Sequence, residues 1–237
     1  MRAELLNVRD LRIGFESPGL IEPVSFQVYA GEIWGIVGPN GAGKTTSMRV
    51  ITGYLKADGG RVLINNKDID ENPIYSKSQI GYLPEGVPLY LDFSPALYLD
   101  YVCSVRKVKD AKTQIQKVIQ DLQLEDVKDV PIETLSKGFK RRVGIAQSLV
   151  HDPKLLILDE PTDGLDPLQK FEVRKLIKKL SKTKAIIIST HILDEVPEVC
   201  NKCLIIDQGE KKFEGTPTKL KRKIGKSLDE KFRKIIS

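Results

Sequence analysis

The stretch EIWGIVGPNGAGKTT, residues 32–46, decides how the rest of the chain is interpreted. It opens with an apolar segment, Ile33, Trp34, Ile36 and Val37, that is typical of a short buried strand. A glycine-rich loop follows and leads into a helical pattern. Its fixed positions match the spacing of a phosphate-binding loop and are Gly38, Gly43, Lys44 and Thr45.

The chemistry of phosphate binding explains this spacing. Glycines let backbone N–H groups surround phosphate oxygens, because no Cβ blocks the approach. The positive end of the following helix favours an anion. We therefore expect a nucleoside triphosphate here, with Lys44 on the β- and γ-phosphates and the Thr45 hydroxyl on Mg²⁺. The predicted nucleotide-binding residues are Gly38, Pro39, Asn40, Gly41, Ala42, Gly43, Lys44, Thr45 and Thr46.

The length and composition predict one large domain or two closely packed lobes. The chain has 237 residues, of which 41% are apolar, enough for a proper core. No apolar run approaches the ~18 residues of a membrane span, and a signal-peptide pattern is absent from the start of the sequence. We expect a cytosolic chain whose membrane role, if it has one, comes through a partner.

The net charge of +6 does not indicate a nucleic-acid-binding face. Residues 216–237 contain eight Lys or Arg and two Asp or Glu, a balance of +6, so the remaining body is formally neutral. From Leu220 the tail places apolar residues four apart, which predicts a basic amphipathic helix. We expect it to rest on its own domain, on a partner or on anionic lipid.

The chain has three cysteines, Cys103, Cys200 and Cys203. Cys200 and Cys203 form a single C-x-x-C pair, which cannot supply the four ligands of a zinc site. We expect small buried side chains there.

Strand and turn patterns flank the phosphate-binding loop. Residues 4–12 and 20–28 read as two strands joined near Pro18–Gly19, and another hairpin begins at Gly59. They predict an antiparallel β lobe beside a parallel core. Phe15 lies in the first connection, and composition leaves two interpretations open: a core aromatic, or a flat surface for an adenine ring.

The middle of the chain reads as a helical insert. Residues 79–85 read as a short strand ending at a Pro, with Glu85 as a carboxylate at the strand end, and helical periodicity runs from 96 to 124. A second helix follows within residues 133–150, with Ser136 as its N-cap and Gly138 at its start. Such a start is a second possible anion site, although most capped helices bind nothing.

Two buried strands then end in polar side chains. Leu155–Leu158 precedes Asp159 and Glu160, and residues 184–188 precede His191. Ligands bind at the carboxyl edge of a parallel sheet. Asp159 can hold Mg²⁺, Glu160 can orient or deprotonate the attacking water, and His191 would lie beside them.

In combination, these motifs resemble the ATP-binding subunit of ABC transporters over about the whole chain, and most of all the ABC-2 export type, because of GYLPEGVPLY at 81–90. Five motifs occur in the family's order. They are GPNGAGKT at 38–45, the Q-loop counterpart ending at Glu85, the signature counterpart LSKGF at 135–139, LLILDE at 155–160 with the following D-loop at 164–166, and the switch His191.

The resemblance implies an α/β P-loop NTPase fold with a RecA-like parallel core, an antiparallel β lobe and a helical insert that carries the signature motif. The expected ATPase domain spans residues 1–216, with the helical subdomain at about 88–150 and a basic amphipathic helix or tail at 217–237. Phe15 falls where the family stacks adenine.

It also implies a head-to-tail dimer in which ATP and Mg²⁺ lie between two subunits. Ser136 and Gly138 of one subunit would meet the γ-phosphate held by the other. Glu160 and His191 would be catalytic, and the metal ligands would be Thr45, Glu85 and Asp159. Binding closes the dimer, and hydrolysis reopens it to move a polytopic membrane permease, at the cytoplasmic face of the membrane, near residues 85–95.

Two departures from the family pattern bear on activity. Glu85 stands where Gln is usual, and adds negative charge near the γ-phosphate. Lys137 and Phe139 replace Gly and Gln of the usual signature, whereas Ser136 and Gly138 remain. We expect activity to survive the change at Glu85. The changes in the signature bear on the detailed contact across the dimer rather than on the fold.

Three functions are therefore weighed. The leading hypothesis is a transport ATPase, working as a homodimer and without nucleic acid. The second is a soluble ABC ATPase acting on the ribosome or on nucleic acid, and the third is a degenerate regulator that binds nucleotide without turnover.

Overall fold

The structure, a computed structural model, describes residues 2–14 and 22–224, except for the side chains of 222–224. Phe15, the predicted turn at Pro18–Gly19 and the predicted tail beyond 224 lie outside the described residues. Within them, ten strands form two sheets. The strands are β1 Glu4–Arg12, β2 Val24–Tyr29, β3 Ile33–Val37, β4 Gly59–Ile64, β5 Lys67–Asp68, β6 Ile80–Leu83, β7 Leu155–Leu158, β8 Ala185–Thr190, β9 Lys202–Asp207 and β10 Glu210–Gly215.

The same part of the chain contains eight α-helices and three short 3₁₀ turns. The helices are α1 Lys44–Ile51, α2 Pro73–Gln79, α3 Pro95–Arg106, α4 Ala111–Asp121, α5 Lys137–Leu149, α6 Pro167–Leu180, α7 Val196–Val199 and α8 Pro217–Ile224. The 3₁₀ turns are Glu125–Val127, Ile132–Thr134 and Leu193–Glu195.

The larger sheet has the order β10-β9-β3-β8-β7-β6 and is parallel except for β10. Its strands β3, β7 and β8 are buried at every residue, as the continuous apolar runs predict. The order brings the carboxyl ends of β3, β8, β7 and β6 side by side at one edge. Val37 pairs with Thr190, and Leu158 pairs with both Ile188 and Leu83.

The smaller sheet, of order β2-β1-β4-β5, is antiparallel. It is the predicted β lobe. Its inward side chains share a core with one face of the parallel sheet and with helix α1, through residues such as Val8, Trp34, Met48 and Ile187. This packing buries the helix that follows the phosphate-binding loop and holds the start of that helix at the sheet edge.

The helical insert is confirmed, but its periodic stretch is two helices rather than one. Ser94 caps α3 by accepting a hydrogen bond from the Leu97 N–H. The last helical residue is Arg106, and the C-cap residue Lys107 has a left-handed φ of 54°. Helix α4 then packs back on α3 and α5, with Leu99, Val118 and Ile119 in the core. Periodicity alone cannot find such a reversal, because both helices present the same apolar spacing.

Two predicted boundaries shifted slightly. Strand β6 ends at Leu83, directly before Pro84, as the sequence indicated, so Glu85 lies just beyond the strand; proline has no N–H to donate to a ladder. Strand β8 continues past 188 to Thr190 because Ser189 and Thr190 are also buried. None of the helices in the described part of the chain has the length and apolar character of a membrane span.

Candidate active site

The phosphate-binding loop joins β3 to α1 at the shared sheet edge. A Cβ on Gly38 would lie 2.2 Å from the Ile206 carbonyl oxygen, so only glycine fits there. Gly43, with φ of 98°, precedes α1 and supplies no side-chain cap to its first N–H groups. The Lys44 Nζ donates hydrogen bonds to the carbonyls of Gly38 and Pro39, at 2.9 and 3.1 Å. The loop is thus wrapped around its own lysine, with the open helix start beside it.

A cavity of about 350 Å³ lies over this loop. It joins most of the predicted nucleotide-binding residues to two predicted carboxylates from other parts of the chain. Its lining consists of Asn40, Gly41, Gly43, Lys44, Thr45, Thr46, Glu85 and Glu160.

The two acids after β7 have different surroundings. Asp159 is fully buried; its Oδ1 accepts a hydrogen bond from the Ser189 hydroxyl, and its Oδ2 has no hydrogen-bond partner among the described residues. Glu160 has a φ of 48°, unusual for a residue with a Cβ, and its N–H donates to the Ser189 Oγ at 2.8 Å. Ser189 therefore holds both acids, and the change in backbone direction sends their carboxylates to different places.

Glu160 connects the phosphate-binding loop to His191. Its Oε1 lies 3.5 Å from the Lys44 Nζ, and its Oε2 lies 3.1 Å from the His191 Nδ1. Lys44 and Glu160 are buried, whereas His191 is partly exposed. The predicted neighbourhood of this histidine and the acid pair exists in the structure, because β7 and β8 are adjacent parallel strands.

Arg141 joins the helical insert to this site. The sequence indicated only that it lies near the signature motif, but its buried guanidinium donates to the Glu85 carbonyl at 3.2 Å and to the Asp163 carbonyl at 3.5 Å. Burial lowers the pKa of Arg141, while the carboxylates of Asp163, Glu85, Glu160 and Asp159 act in the opposite direction. A buried cation on α5 therefore lies near four acids, of which Glu85 and Glu160 line the phosphate cavity.

Ser136 and Gly138 do not line the phosphate cavity of their own chain. They border a separate cavity of about 70 Å³ with Phe139, Arg142 and Gln169. Ser136 caps α5 by accepting from the Phe139 N–H at 3.3 Å. A Cβ on Gly138 would lie 2.7 Å from the Gln169 Cδ, at the end of a flexible side chain that can move aside, so packing within one chain is only a weak reason for glycine here.

The residues around the cavity fit a magnesium ion. Thr45 and Glu85 offer oxygen atoms at its wall, and Asp159 has one buried oxygen without a partner. Such a small set of oxygens suits Mg²⁺, which takes few protein oxygens and completes its shell with water and substrate phosphates. In the described ranges no cluster of three or more His, Cys, Asp or Glu side chains could hold a metal.

The sequence did not identify Ser189 or Gln169 as part of either site. Ser189 could have been suspected as a polar residue within an apolar strand.

The C-x-x-C prediction is confirmed: Cys200 and Cys203 are buried free thiols, and burial raises the pKa of Cys203 to about 12.

A parallel sheet with a phosphate-binding loop after one strand and an acid pair after another defines a P-loop nucleotide-binding domain. A family profile described as "ABC transporter" matches residues 21–163. The chain belongs to the ABC transporter family, as an ATP-binding protein with the ATPase domain of that family.

Curated relatives agree with this assignment. The ABC transporter ATP-binding protein YhcH of Bacillus subtilis is 36% identical over 209 residues, which are 87% of this chain and 68% of that protein. The lipopolysaccharide export system ATP-binding protein LptB of Escherichia coli is 31% identical over 221 residues, 91% of this chain and 92% of that protein. A Synechocystis ABC transporter ATP-binding protein is 37% identical over 196 residues, and the match spans about half of it, 54%.

Solved structures agree as well. An ATP-binding subunit of an ABC transporter superposes with a TM-score of 0.86 at 30% identity, covering 98% of this chain and 100% of that chain. The cbiO1 protein of Clostridium perfringens, part of the ABC transporter complex cbiONQ, gives 0.84 at 30% identity, with 98% and 94% covered. The resemblance based on five ordered motifs is confirmed, and the relatives favour a transporter subunit over a soluble ABC ATPase.

Proposed function

We propose that this chain is the ATP-hydrolysing subunit of an ABC exporter. The observation that carries the proposal is the convergence of Lys44, Glu160 and His191 at the phosphate cavity. In this arrangement the Glu160 carboxylate, which would activate water, lies within contact distance of both a cation for phosphate, Lys44, and a polar ring, His191. Such a set suits phosphoryl transfer to water, where catalysis is mostly positioning and electrostatic stabilisation.

Each residue has a defined task in this reaction. The loop N–H groups and Lys44 bind the triphosphate, and Lys44 leaves Glu160 to do so. Glu160 then orients a water for in-line attack on the γ-phosphorus and accepts its proton, while His191 contacts the γ-phosphate. Thr45, Glu85 and Asp159 would hold Mg²⁺, which supplies charge neutralisation for the phosphates.

A second subunit completes the site. Ser136 and Gly138 head α5 but lie outside the phosphate cavity of their own chain, so they are placed to serve the nucleotide of a partner. A head-to-tail homodimer would bring both anion-binding helix starts to one triphosphate. ATP would close the dimer, and cleavage would add charge repulsion that reopens it.

The helical insert offers a surface for a membrane-spanning partner. Aromatic rings cluster there, with the Tyr90 ring 5.2 Å from that of Phe93 and 5.3 Å from that of Tyr101. The exposed apolar side chains on this face are Tyr90, Leu91, Leu97, Tyr101 and Val105. A contiguous patch of this kind marks an interaction site. We place the polytopic permease on it, which would hold the ATPase at the cytoplasmic face of the membrane.

We assign ATP binding and hydrolysis to an ATPase domain of residues 1–216, with its helical subdomain at about 88–150. Helix α8 begins the segment 217–237, and its Leu220 is buried, which supports packing of this part on its own domain. Export is supported by the similarity to LptB, the ATP-binding protein of a lipopolysaccharide export system, and by the export-type motif around Glu85.

Steady-state ATPase measurements with and without Mg²⁺ test the proposal. We expect turnover that requires Mg²⁺ and rises when the permease is present. Nucleotide binding without turnover, even with the permease, would instead identify the degenerate regulator. Salt-sensitive RNA binding by a variant lacking residues 217–237 would favour the soluble alternative.

A further inference from the structure

A buried carboxylate behind the site contacts both loops that carry the proposed catalytic residues. Glu195 is only 6% exposed and lies in the 3₁₀ turn before α7. The Thr162 hydroxyl lies 3.0 Å from its Oε1 and 2.9 Å from its Oε2, and the Thr190 hydroxyl donates to Oε2 at 3.1 Å. Lys170 of α6 places its Nζ 3.8 Å from Oε1.

Each threonine lies within two residues of a proposed catalytic residue. Thr162 lies two residues after Glu160, in a turn closed by the Asp163 N–H donating to the Glu160 carbonyl. Thr190 directly precedes His191, and its hydroxyl also accepts from the Ile192 N–H at 3.0 Å. The residues on both sides of His191 are therefore held by the Thr190 hydroxyl.

The geometry points to Glu195 as a positioning residue that fixes His191 against Glu160. A carboxylate that ties both loops together sets the distance between the side chains they carry, here 3.1 Å from Nδ1 to Oε2. Small displacements of reacting groups cost large factors in rate. A buried carboxylate is costly unless its oxygens are satisfied, and each oxygen here has at least two polar neighbours.

Histidine NMR of the full chain tests this geometry directly. The chain has two histidines, His151 and His191, so ring-labelled protein gives two sets of signals, assigned through His151→Asn. In Glu195→Gln one carboxylate oxygen becomes an amide that cannot accept, and in Thr190→Val the hydroxyl is lost at nearly constant shape. We expect both variants to move the His191 ring signals by more than a linewidth and to leave those of His151 in place.

Glu32 provides the matched control. It is also a buried glutamate, 7% exposed, which accepts from the Tyr29 N–H and the Trp34 indole and pairs with Lys202. Glu32→Gln should lower stability without moving the His191 signals. If His191 gives wild-type signals in folded Glu195→Gln and folded Thr190→Val, the assignment of Glu195 is wrong.

Kinetics give a second readout, which rests on the proposed function. We expect Glu195→Gln to reduce kcat by about tenfold to a hundredfold with KM for ATP unchanged. Added to His191→Ala, it should cause little further loss, because it acts through His191. Full additivity would contradict the positioning role. An inactive wild type would contradict the proposed function alone, and the NMR result would still decide the role of Glu195.

Discussion

The Nζ of Lys44 lies 3.5 Å from Oε1 of Glu160, and both side chains are buried. The lysine that would bind phosphate is thus paired with the acid that would activate water. In the proposed function, a triphosphate entering the cavity would replace Glu160 as the partner of Lys44 and so free the carboxylate to orient water. The free protein keeps both groups satisfied, since a lone buried charge would be unfavourable.

Replacing Glu160 by Gln should therefore separate binding from cleavage. The amide removes a negative charge beside Lys44 and the phosphates, so ATP should bind more tightly. It cannot accept the proton of water, so turnover should fall by about 10²- to 10⁴-fold. Fluorescent-nucleotide titration and steady-state ATPase assays measure the two effects.

Glu125→Gln, in an exposed 3₁₀ turn of the helical insert, is the control for loss of an acid at a distance. The Glu160 variant should also dimerise with ATP in sedimentation experiments. Wild-type turnover in this variant would remove Glu160 from its proposed role.

Asp159→Asn should reduce activity without reducing stability. Oδ2 of this fully buried carboxylate has no partner among the described residues, and a neutral amide costs less to bury than a charge. We expect an unfolding midpoint in EDTA equal to or above that of the wild type, with Mg²⁺-dependent turnover strongly reduced. Denaturant melts and ATPase titration with Mg²⁺ measure this.

Asp152→Asn is the contrasting control, because Asp152 accepts from the Lys184 Nζ at 2.7 Å. Because this carboxylate is 48% exposed, its loss should cost up to about 1 kcal/mol. A midpoint for Asp159→Asn as low as that of Asp152→Asn would mean that the Asp159 carboxylate is satisfied in the free protein.

Gly138→Ala tests whether the start of α5 serves a phosphate. The new Cβ would meet only the end of the flexible Gln169 side chain, which can move aside, so the free energy of unfolding should change by less than about 1 kcal/mol. If Gly138 contacts the phosphate of a partner subunit, ATPase activity should fall while stability is kept. Gln169→Ala in the same chain removes any remaining contact and should not restore activity. Recovery of activity in the double variant would leave packing as the only role of Gly138.

Stability should fall between pH 6.5 and 4 because of His151. Burial, and then the nearby Arg106, lower its pKa from 6.5 to about 4. Its Nε2 lies 2.9 Å from the Ile80 carbonyl, and its buried Nδ1 has no partner among the described residues. In this range the unfolded chain binds the proton and the folded chain does not, so stability rises with pH.

The effect is complete below pH 4, absent above about pH 6.5, and amounts to roughly 3 kcal/mol at most. His151→Asn should flatten this part of the curve of unfolding free energy against pH. An unchanged slope would assign the acid sensitivity to other groups.

Leu97→Glu should weaken attachment to the membrane partner. Leu97 is 52% exposed on α3, within the patch assigned to the permease, and a charge there would be buried in the contact. Co-sedimentation with membranes that contain the permease measures attachment, and Mg²⁺-dependent ATPase activity of the free protein should persist. Ile74→Glu is the control, because Ile74 is 86% exposed on α2, outside the patch. Equal attachment of both variants would place the permease elsewhere.

Much of the fold could be predicted because its signals are local. The apolar runs of β3, β7 and β8, the glycines of the phosphate-binding loop and the Ser136 cap are each visible within a few residues. Polar residues at the ends of parallel strands also predicted the meeting of Glu160 and His191, since such ends share one edge of a sheet. The reversal at Lys107 was missed because a single left-handed residue leaves helical periodicity unchanged.

The sequence by itself determined the class of fold, the phosphate-binding loop and the identity of the candidate catalytic residues, because each depends on short-range pattern and on residue chemistry. Only the tertiary structure decided which side chains hold them. Three such contacts join distant parts of the chain: Ser189 with Asp159 and Glu160, Arg141 with the Glu85 loop, and Glu195 with Thr162. The residues in each contact are roughly 30 or more positions apart in the sequence, whereas the Glu195–Thr190 contact is local. Strand order and core packing create such contacts, and no local pattern encodes them.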